Sequence, residues 1–493
     1  MEPGLHDMVL LVLLCLLLTV FSMVKKQREK RRTDVSYNLP PSLPSLPVLG
    51  HIHLFAKPLH QTLADIAGRL GPVVFLRFGS RPVVVVSSPE LAEVCLNTHV
   101  SGRASGSLLS FPVDLAAAAG VHEEESLLLL RGLLRETDAA EAEWSVGGAA
   151  KVELKSRLFA MAVDAMMRIV AGKRYYIYEE EEEEEEGRRR FREAVEGLFG
   201  LRKSYSVGGL LPFLRWVDAV EVGQRLPRFK GAVDGLLQEL IDEHRRRRGG
   251  GVGEFEESHG RKTLISMLLS QQTAHPDSYS DTVIKEILVG FITAGTDTIS
   301  NTVEWAISHL LNNPEKLKKA KAEVEELVGR HRLLRTSDVR DLPYIRCIVA
   351  ETLRLHPAAP LIVADEYSNG CSVNGYDVPR GSMLLVNVYG IHRNPEHWAW
   401  QDRFVPERFQ DSRAEGGVVL PFGLGRRRCP AEGLAGQAGG LVLGLMIQCL
   451  EWERVGREEV DMREEAGMTL AKATPLEALC SPRPILYQVL NGI

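Results

Sequence analysis

The chain has 493 residues, of which 45% are hydrophobic and 25% are charged, and its formal net charge is -6 at pH 7. This mild acidity argues against a nucleic acid as partner, because domains that bind nucleic acids carry basic patches. The length alone would accommodate about three domains, but no long linker divides the middle of the chain, so one large domain is equally compatible with it.

The seven cysteines are scattered along the chain, and none forms a Cys-x-x-Cys pair with another. They are Cys15, Cys95, Cys347, Cys371, Cys429, Cys449 and Cys480. An odd number without such pairs predicts a reducing compartment, with no disulfide framework and no zinc cluster.

Residues 9–24 form a nearly unbroken apolar run, and a basic cluster over residues 25–32 follows at once. A cleaved signal peptide and a retained membrane anchor are the two interpretations. A signal peptide carries its positive charge before the apolar core, whereas Glu2 and Asp7 precede this one. We therefore predict a single-pass anchor. The positive-inside rule then places the remainder of the chain in the cytosol, and the short span suits the thin membrane of the endoplasmic reticulum.

A stiff connection follows the apolar run, because four prolines lie between Pro40 and Pro47. Proline is excluded from helix interiors, and a proline-rich segment behaves as a spacer. The sequence thus predicts three parts: an anchor over 1–24, a basic and proline-rich hinge over 25–50, and one folded body over 51–493.

The first predicted elements of the body are two apolar strands over 73–78 and 82–87, joined by a Gly-Ser pair in a β-hairpin, and a helix that begins at Pro89. Residues 105–150 have an unusual composition, with an alanine-rich patch and a block of acids followed by leucines. The glutamate run over 179–186 repels itself, so a solvated loop is expected there.

The longest helical pattern covers residues 280–312, in which apolar residues recur at i, i+3 and i+4, and Pro314 ends it. The stretch Ala-Gly-Thr-Asp-Thr, residues 294–298, lies in its middle. A glycine costs about 1 kcal/mol there relative to alanine. This weak point predicts a local opening of the kind found at functional bulges; a tolerated irregularity is the alternative.

A further helix is predicted over 341–354, where Glu351 and Arg354 share one face at i, i+3 and can form an ion pair. An apolar strand is predicted over 382–388. Long helices together with a few strands indicate a mainly α fold with a small β subdomain.

The most distinctive stretch is 421–430, in which Cys429 ends a loop rich in glycine and arginine and precedes a long apolar run. Nearby arginines lower the pKa of a thiol, and the positive end of a helix dipole has the same effect. A thiolate in such surroundings is a suitable axial ligand for haem iron. The alternative is that Cys429 is a small buried hydrophobic residue, as many lone cysteines are.

Three motifs in the correct order resemble those of cytochromes P450. The thiolate-loop pattern Phe-x-x-Gly-x-Arg-x-Cys is matched by Phe422, Gly425, Arg427 and Cys429. The distal-helix pattern Ala/Gly-Gly-x-Asp/Glu-Thr is matched by residues 294–298, and the Glu-Arg-Arg core is matched by Glu351, Arg354 and Arg408.

Within this family, the chain resembles plant A-type microsomal P450s, and the isoflavone-hydroxylase-like family among them. The stretches that carry this similarity are Phe213–Trp216, Ile241–His244, Gly375–Gly381 and Met468–Leu470. The resemblance, which covers roughly residues 9 to 490, implies a cytochrome P450 fold behind an N-terminal transmembrane helix, with residues 51–493 as the haem-thiolate catalytic domain.

The resemblance further implies a haem-thiolate monooxygenase of secondary metabolism that contains heme b. It would insert one oxygen atom from O2 into a small apolar, aromatic plant metabolite or xenobiotic. Electrons would come from NADPH indirectly, through a membrane-bound NADPH–cytochrome P450 reductase.

The resemblance also assigns roles to residues. Cys429 would ligate the iron, and Phe422, Gly425 and Arg427 would help to bind the haem. Thr298 and Asp297 would deliver protons during oxygen activation. The substrate pocket would be lined by Phe291, Ala294, Gly295, Ile362 and Leu470. Glu351, Arg354 and Arg408 would be structural.

The chain departs from the family pattern where P450s bind the haem propionates. The usual Trp-x-x-x-Arg has its best placement at 130–134, which holds leucine at both key positions, and neither Arg131 nor Arg135 is in register. The second partner, usually His or Arg, is Asp365. Two alternatives therefore stay open: a diverged, poorly haem-loaded or inactive P450-like membrane protein, and a haem-thiolate enzyme that rearranges peroxides, against which Asp297 and Thr298 argue.

Overall fold

The computed structural model describes residues 37–55, 58–98, 115–144, 149–176, 185–202, 225–249, 262–364, 371–410, 419–425, 428–465 and 467–490. The predicted anchor over 1–24, the stretch Phe213–Trp216, Asp365, Arg426 and Arg427 lie outside these ranges. Within them, no helix combines the length and the apolar character that a bilayer crossing requires.

Helices make up most of the described chain. In order they are α1 (Leu59–Leu70), α2 (Pro89–Thr98), α3 (Leu115–Trp144), α4 (Leu154–Ala171), α5 (Glu185–Arg202), α6 (Arg225–Gly249), α7 (Leu264–Ala274), α8 (Asp281–Asn312), α9 (Pro314–Leu327), α10 (Pro343–Leu355), α11 (Val388–His392), α12 (Glu432–Cys449) and α13 (Pro484–Leu490). Short 3-10 turns lie at Ile52–Leu54, Thr336–Asp341 and Pro406–Phe409.

The strands form three small sheets. They are β1 (Val73–Phe78), β2 (Arg81–Val86), β3 (Ala150–Glu153), β4 (Leu361–Ala364), β5 (Cys371–Val373), β6 (Tyr376–Val378), β7 (Met383–Asn387), β8 (Leu450–Arg454) and β9 (Glu477–Pro482). The strand orders are β1-β2-β7-β4, β3-β9-β8 and β5-β6. The prediction of a mainly α fold with a small β component is confirmed.

Several predicted elements are present with small shifts of their ends. The hairpin of β1 and β2 is antiparallel and pairs Val73 with Val86. The predicted helix that begins at Pro89 is α2. The predicted strand near residue 382 is β7, which pairs in parallel with β2 through Val83 and Met383. The hairpin is thereby joined to a strand three hundred residues away in sequence, a pairing that local patterns do not predict.

The compositionally unusual segment contains one long helix, α3. Leu129, Leu130 and Leu133 of this helix are buried in the main core. The glutamate run differs in part from the expected loop, because Glu185 and Glu186 begin α5. Acidic residues in a first turn favour the positive end of the helix dipole, which explains why the end of the run is helical.

The main core gathers around α8 and α12, to which α3, α9, α10 and β8 add apolar side chains. Val303 and Leu310 of α8 and Leu443 of α12 are buried there. A second core lies beside the N-terminal half of α8, where Ile287 meets apolar residues of α4, α6 and α7. The long helix α8 therefore runs through the interior with neighbours along most of its length.

The predicted opening of α8 at residues 294–298 is not present, since its backbone remains α-helical throughout. Ser280 caps its N-terminus by accepting a hydrogen bond from the N–H of Val283. Inside the helix, the hydroxyls of Thr296 and Thr298 donate to the carbonyls four residues earlier, at 2.7 and 2.6 Å. Threonine hydroxyls can satisfy themselves in this way without breaking the backbone ladder. These side-chain hydrogen bonds therefore accompany an unbroken helix despite the low helix propensity of residues 294–298.

Candidate active site

The loop before α12 is held in place at both ends. The backbone N–H of Cys429 donates to the carbonyl of Phe422 at 2.8 Å, which closes the loop into a turn. Phe422 packs against the main core, and Leu424 packs against the core of the four-stranded sheet. The thiol of Cys429 is thereby presented half-buried from a fixed backbone.

Gly425 adopts a left-handed conformation, with φ of +62°. A Cβ at this position would lie 2.0 Å from Oδ1 of Asn97 at the end of α2. Glycine is therefore required for two reasons, the backbone angle and the close approach of α2. Among the described residues, the close neighbour of Gly425 is Asn97.

The prediction that the surroundings lower the pKa of Cys429 is wrong for the described residues. Burial of the thiol raises its pKa, the backbone N–H of Ala431 opposes this effect, and the carboxylate of Glu432 adds to it, so that the pKa is raised. Arg428 is exposed and donates to Glu432 at 2.5 and 2.9 Å. Because a metal binds the thiolate, metal binding here must displace a proton.

One face of α8 borders open space. Phe291, Ala294 and Thr298 lie on this face because their spacing is three and four residues. Ala294 is exposed and the other two are half-buried. Ile292 and Ile299, which alternate with them, are buried. An exposed alanine in the middle of a packed helix shows that this face is not covered by the described side chains.

Gly295 lies on α8 next to Ala294 but faces α4. A Cβ at this position would meet the side chain of Met166. The glycine therefore allows α8 and α4 to pack closely. Its predicted place in a substrate pocket stays a prediction.

The segment after β8 brings Thr469 and Leu470 to α8. The Thr469 hydroxyl donates to Oδ2 of Asp297 at 3.4 Å. Leu470 is buried; its N–H donates to the carbonyl of Ala358 at 3.2 Å, and its carbonyl accepts from the indole N–H of Trp305 at 3.0 Å. No local sequence pattern indicates the contact of Thr469 with Asp297, because 172 residues separate the two positions.

Ile362 lies on β4, on the edge of the four-stranded sheet. It is half-buried and packs against the core of that sheet. The next residue, Val363, points to the opposite face of the strand and is 53% exposed. Ile362 and Val363 therefore face opposite sides of the strand, and the place of Ile362 in a substrate pocket stays a prediction.

The predicted ion pairs of the Glu-Arg-Arg core are confirmed. Nε and Nη2 of Arg354 donate to the two carboxylate oxygens of Glu351 at 2.6 and 2.8 Å, and Nε of Arg408 donates to the same carboxylate at 3.2 Å. All three side chains are buried. A two-point contact of this type is a strong, directional form of ion pair.

Arg354 also holds the loop that precedes the thiolate segment. Its Nη1 donates to the carbonyls of His392 and Gln401, both at 2.8 Å, and its Nη2 donates to the carbonyl of Arg403 at 3.2 Å. Glu351 accepts from the N–H of Val405 at 2.9 Å. The buried ion pair is therefore a fixed point for residues 392–405.

The predicted departure from the family pattern is visible on α3. At the best placement of Trp-x-x-x-Arg, Leu130 is fully buried in the main core and Leu134 packs against that core. The neighbouring Arg131 and Arg135 each have an interaction of their own. Neither leucine can donate a hydrogen bond to a carboxylate.

Two features of the described residues are compatible with haem, a thiol that can ligate iron and an open helix face with a small side chain. Cys429 provides a half-buried thiol, and the face of Phe291, Ala294 and Thr298 provides open space next to a small side chain. The helices α8 and α12, which carry or follow these residues, pack directly against one another. A cysteine thiolate is the axial ligand of the iron in haem-thiolate enzymes.

Comparison with known proteins decides the family. The family model for cytochrome P450 matches residues 40–116 and 119–480. The chain belongs to the cytochrome P450 family. This P450 is 37% identical to a (+)-piperitol/(+)-sesamin synthase of Sesamum radiatum, over 97% of this chain and 98% of that protein.

Isoflavone hydroxylases are also among the relatives of this P450. It is 37% identical to an isoflavone 3'-hydroxylase of Medicago truncatula, over 92% of this chain and 94% of the relative. It is 33% identical to an isoflavone 2'-hydroxylase of Glycyrrhiza echinata, over 96% of each protein. The resemblance to plant P450s of the isoflavone-hydroxylase-like family is thus confirmed. The protein is a monooxygenase of the oxidoreductase class, and its family implies a haem-iron cofactor.

Proposed function

We propose that this P450 inserts one oxygen atom from O2 into a small, apolar, aromatic plant metabolite or xenobiotic, with electrons from NADPH supplied by NADPH–cytochrome P450 reductase. The observation that carries the proposal is the half-buried thiol of Cys429 in the matched thiolate loop. The open apolar face of α8 supports an apolar substrate. The relatives named as isoflavone hydroxylases support an aromatic one.

Cys429 would hold the haem iron, with Phe422, Gly425 and Arg427 beside the ring. When bound, heme b supplies thiolate-ligated iron that activates O2. The hydrogen bond between the N–H of Cys429 and the Phe422 carbonyl fixes the backbone from which the half-buried thiol projects. A fixed ligand lowers the reorganisation that binding requires.

Thr298 and Asp297 of α8 would move protons during oxygen activation. The Thr298 hydroxyl is held on the carbonyl of Ala294 at 2.6 Å, and it can turn from that acceptor toward the open face by a change of rotamer. The carboxylate of Asp297 accepts from the Thr469 hydroxyl. An acid and a hydroxyl in sequence can pass a proton from the interior of the helix bundle to its open face.

The proposed location is the membrane of the endoplasmic reticulum, with residues 1–24 as a single-pass anchor and the catalytic domain in the cytosol. The start of the described body supports contact with a membrane, because it exposes a group of large apolar side chains. They are Tyr37, Leu39, Leu46 and Leu49.

The decisive experiment is a reduced, carbon monoxide difference spectrum of the full-length protein in membranes, expressed with a plant reductase. The wild type should show the red-shifted Soret band of thiolate ligation, and Cys429→Ser should abolish it. Cys347→Ala is the matched control, since Cys347 is a free thiol on α10. Unchanged spectra for Cys429→Ser would overturn the ligand assignment.

A second candidate function is a diverged membrane protein that binds haem poorly. The packing of Leu130 and Leu134 into the main core favours it, because both side chains take the place of propionate partners. Each missing hydrogen bond to a charged group is worth about 1.5–3 kcal/mol. Haem content per chain tests this candidate: a wild type without haem supports it, and full loading excludes it.

A further inference from the structure

A buried polar cluster surrounds Glu464 and contacts the C-terminal half of α8. Oε2 of Glu464 accepts from Nε2 of His60 at 3.0 Å and from the amide of Gln61 at 2.6 Å. Oε1 accepts from Nδ1 of His356 at 3.2 Å. The Glu464 side chain is 6% exposed. Both carboxylate oxygens are thus bound by residues of α1 and by the residue that follows α10.

The protonation of the histidines follows from these contacts. An ionised carboxylate only accepts hydrogen bonds, so Nδ1 of His356 carries a proton, and in a neutral imidazole Nε2 must then accept. Nε2 of His309 lies 3.0 Å from that atom and therefore donates to it. The His356 ring also stacks on Trp305, with centroids 3.7 Å apart and the planes 1° from parallel. Two residues of α8 thereby join the cluster.

Two cations, Arg393 and Lys472, lie beside this cluster. Nη2 of Arg393 lies 3.6 Å from Oε1 of Glu464. The ammonium of Lys472 lies 4.6 Å from the centre of the Trp305 ring. The opposing acid is Asp402, at 3.6 Å from Nε of Arg393. A buried carboxylate with three donors and the Arg393 guanidinium at 3.6 Å is stabilised in its charged form.

Glu464 also lies at the base of a hairpin-like loop, described over residues 461–465 and 467–474, which we call the C-terminal loop. Glu464 forms an isolated β-bridge with Lys472. The N–H of Glu465 donates to the carbonyl of Ala471, and the N–H of Ala473 donates to that of Arg463, both at 2.9 Å. The tip of this loop carries Thr469 and Leu470, which contact Asp297 and Trp305 of α8. One end of the loop is therefore fixed by Glu464, and the other reaches the proposed active site.

We propose that Glu464 is a positioning residue that fixes the tip of the C-terminal loop against Asp297. Through this anchor it sets how a substrate lies beside Leu470 and how tightly electron use is coupled to product. The inference rests on the proposed function for its catalytic consequence. Its structural part, the anchoring of the loop tip by Glu464, holds independently of haem loading.

Hydrogen–deuterium exchange on the full-length protein tests the anchor directly. Glu464→Gln removes the charge that strengthens three hydrogen bonds and replaces one carboxylate oxygen with an NH2 group, which cannot accept. Backbone amides of residues 465–473 should exchange at least about tenfold faster, because hydrogen bonds to a charged group are lost. Glu459→Gln is the control: it removes the same charge from an exposed side chain and should leave exchange in this peptide unchanged. Unchanged exchange in Glu464→Gln would overturn the proposal.

Gln61→Met is the milder variant, should Glu464→Gln fail to fold. It removes one of the three donors and should accelerate exchange of the same peptide by a smaller factor; no acceleration would count against the anchor.

The catalytic consequence is measured on protein that shows the thiolate Soret band, with 7-ethoxycoumarin as the aromatic probe. Glu464→Gln should retain the band, and Glu459→Gln should match the wild type. The ratio of hydrogen peroxide to dealkylated product should rise in Glu464→Gln. A wild type without the band defeats the proposed function alone, whereas normal coupling in Glu464→Gln with a loosened loop defeats the positioning role.

Discussion

An ideal Cβ on Gly295 would lie 2.3 Å from Sδ of Met166, so α8 and α4 meet at this glycine without room for a methyl group. The contact lies one residue from Ala294, which borders the open face of α8. Packing of one side of the helix therefore fixes the position of the other side, where the proposed chemistry takes place.

Gly295→Ala should lower the free energy of unfolding by about 0–2 kcal/mol, because an overpacking cost of about 1–3 kcal/mol is offset in part by about 1 kcal/mol of helix propensity. The flexible Met166 side chain must move to admit the methyl group. Chemical denaturation of the full-length protein in detergent measures the loss. Gly132→Ala is the matched control, because Gly132 lies in helix α3 and a Cβ there meets nothing within 4 Å; it should gain about 1 kcal/mol from helix propensity.

Met166→Ala in the Gly295→Ala background completes a double-mutant cycle. The larger space should recover part of the loss, so the two changes should not be additive. Additive effects would show that the methyl group is accommodated elsewhere and that Met166 does not set the distance between α8 and α4.

The buried Glu-Arg-Arg core gives a second prediction. Arg354→Met should lower the free energy of unfolding by about 3–5 kcal/mol, because it leaves the Glu351 carboxylate buried without its main partner. It should also release the loop over 392–405, which Arg354 holds through three carbonyls. Arg340→Met is the control, since Arg340 forms an exposed pair with Asp341 and its loss should cost under about 1 kcal/mol. Equal effects of the two changes would contradict a structural role for the core.

The extent to which the sequence predicts this structure depends on the range of the interactions involved. The hairpin of β1 and β2, the extent of α8 and the pair of Glu351 with Arg354 follow from residues close in the chain, and all three are present. The contact of Arg408 with Glu351 spans 57 residues and came from the family resemblance. The anchor of Glu464 on His60 spans 404 residues, and no local pattern marks it.

Two sequence-based expectations failed because they counted only part of the local physics. The expected opening of α8 weighed the helix propensities of glycine and threonine but not the hydrogen bonds that Thr296 and Thr298 donate within the helix. The expected low pKa of Cys429 counted arginines but not the burial of the thiol, nor the ion pair by which Glu432 binds Arg428. Only the burial of the thiol depends on tertiary packing; the hydrogen bonds within α8 and the pair of Arg428 with Glu432 are local.

Buried histidines predict how stability depends on pH. Burial lowers the pKa of His122 and His356 to about 4 and that of His392 to about 3. In the unfolded chain these groups titrate near about 6.5. Between pH 6.5 and about 4 the unfolded state therefore binds more protons than the folded state, and stability falls as the pH falls, by about 1.4 kcal/mol per pH unit for each histidine. Denaturation midpoints measured from pH 8 to pH 5 should be flat at first and then decrease.

His122→Leu isolates one member of this group. Both ring nitrogens of His122 lack a hydrogen-bond partner among the described residues. Leucine should therefore stabilise the protein at pH 7 by about 1–3 kcal/mol, because an unsatisfied buried polar group is removed. It should also reduce the slope below pH 6.5 by the share of one histidine. An unchanged slope would show that His122 does not titrate on unfolding.

The last prediction concerns the hydroxyl on the open face of α8. Thr298→Ala removes the only group at this position that can turn from the Ala294 carbonyl toward a reacting oxygen. Product formed per NADPH consumed should fall at least about tenfold, with hydrogen peroxide in its place, since a positioned proton donor is worth about 10²–10⁴ in rate. Thr296→Ala is the matched control: its hydroxyl makes the same type of bond, to Ile292 at 2.7 Å, but is buried away from that face. Thr298→Ser should retain coupling, because it keeps the hydroxyl. Tight coupling in Thr298→Ala would remove this residue from the proton path and leave Asp297, held by Thr469, as the remaining candidate.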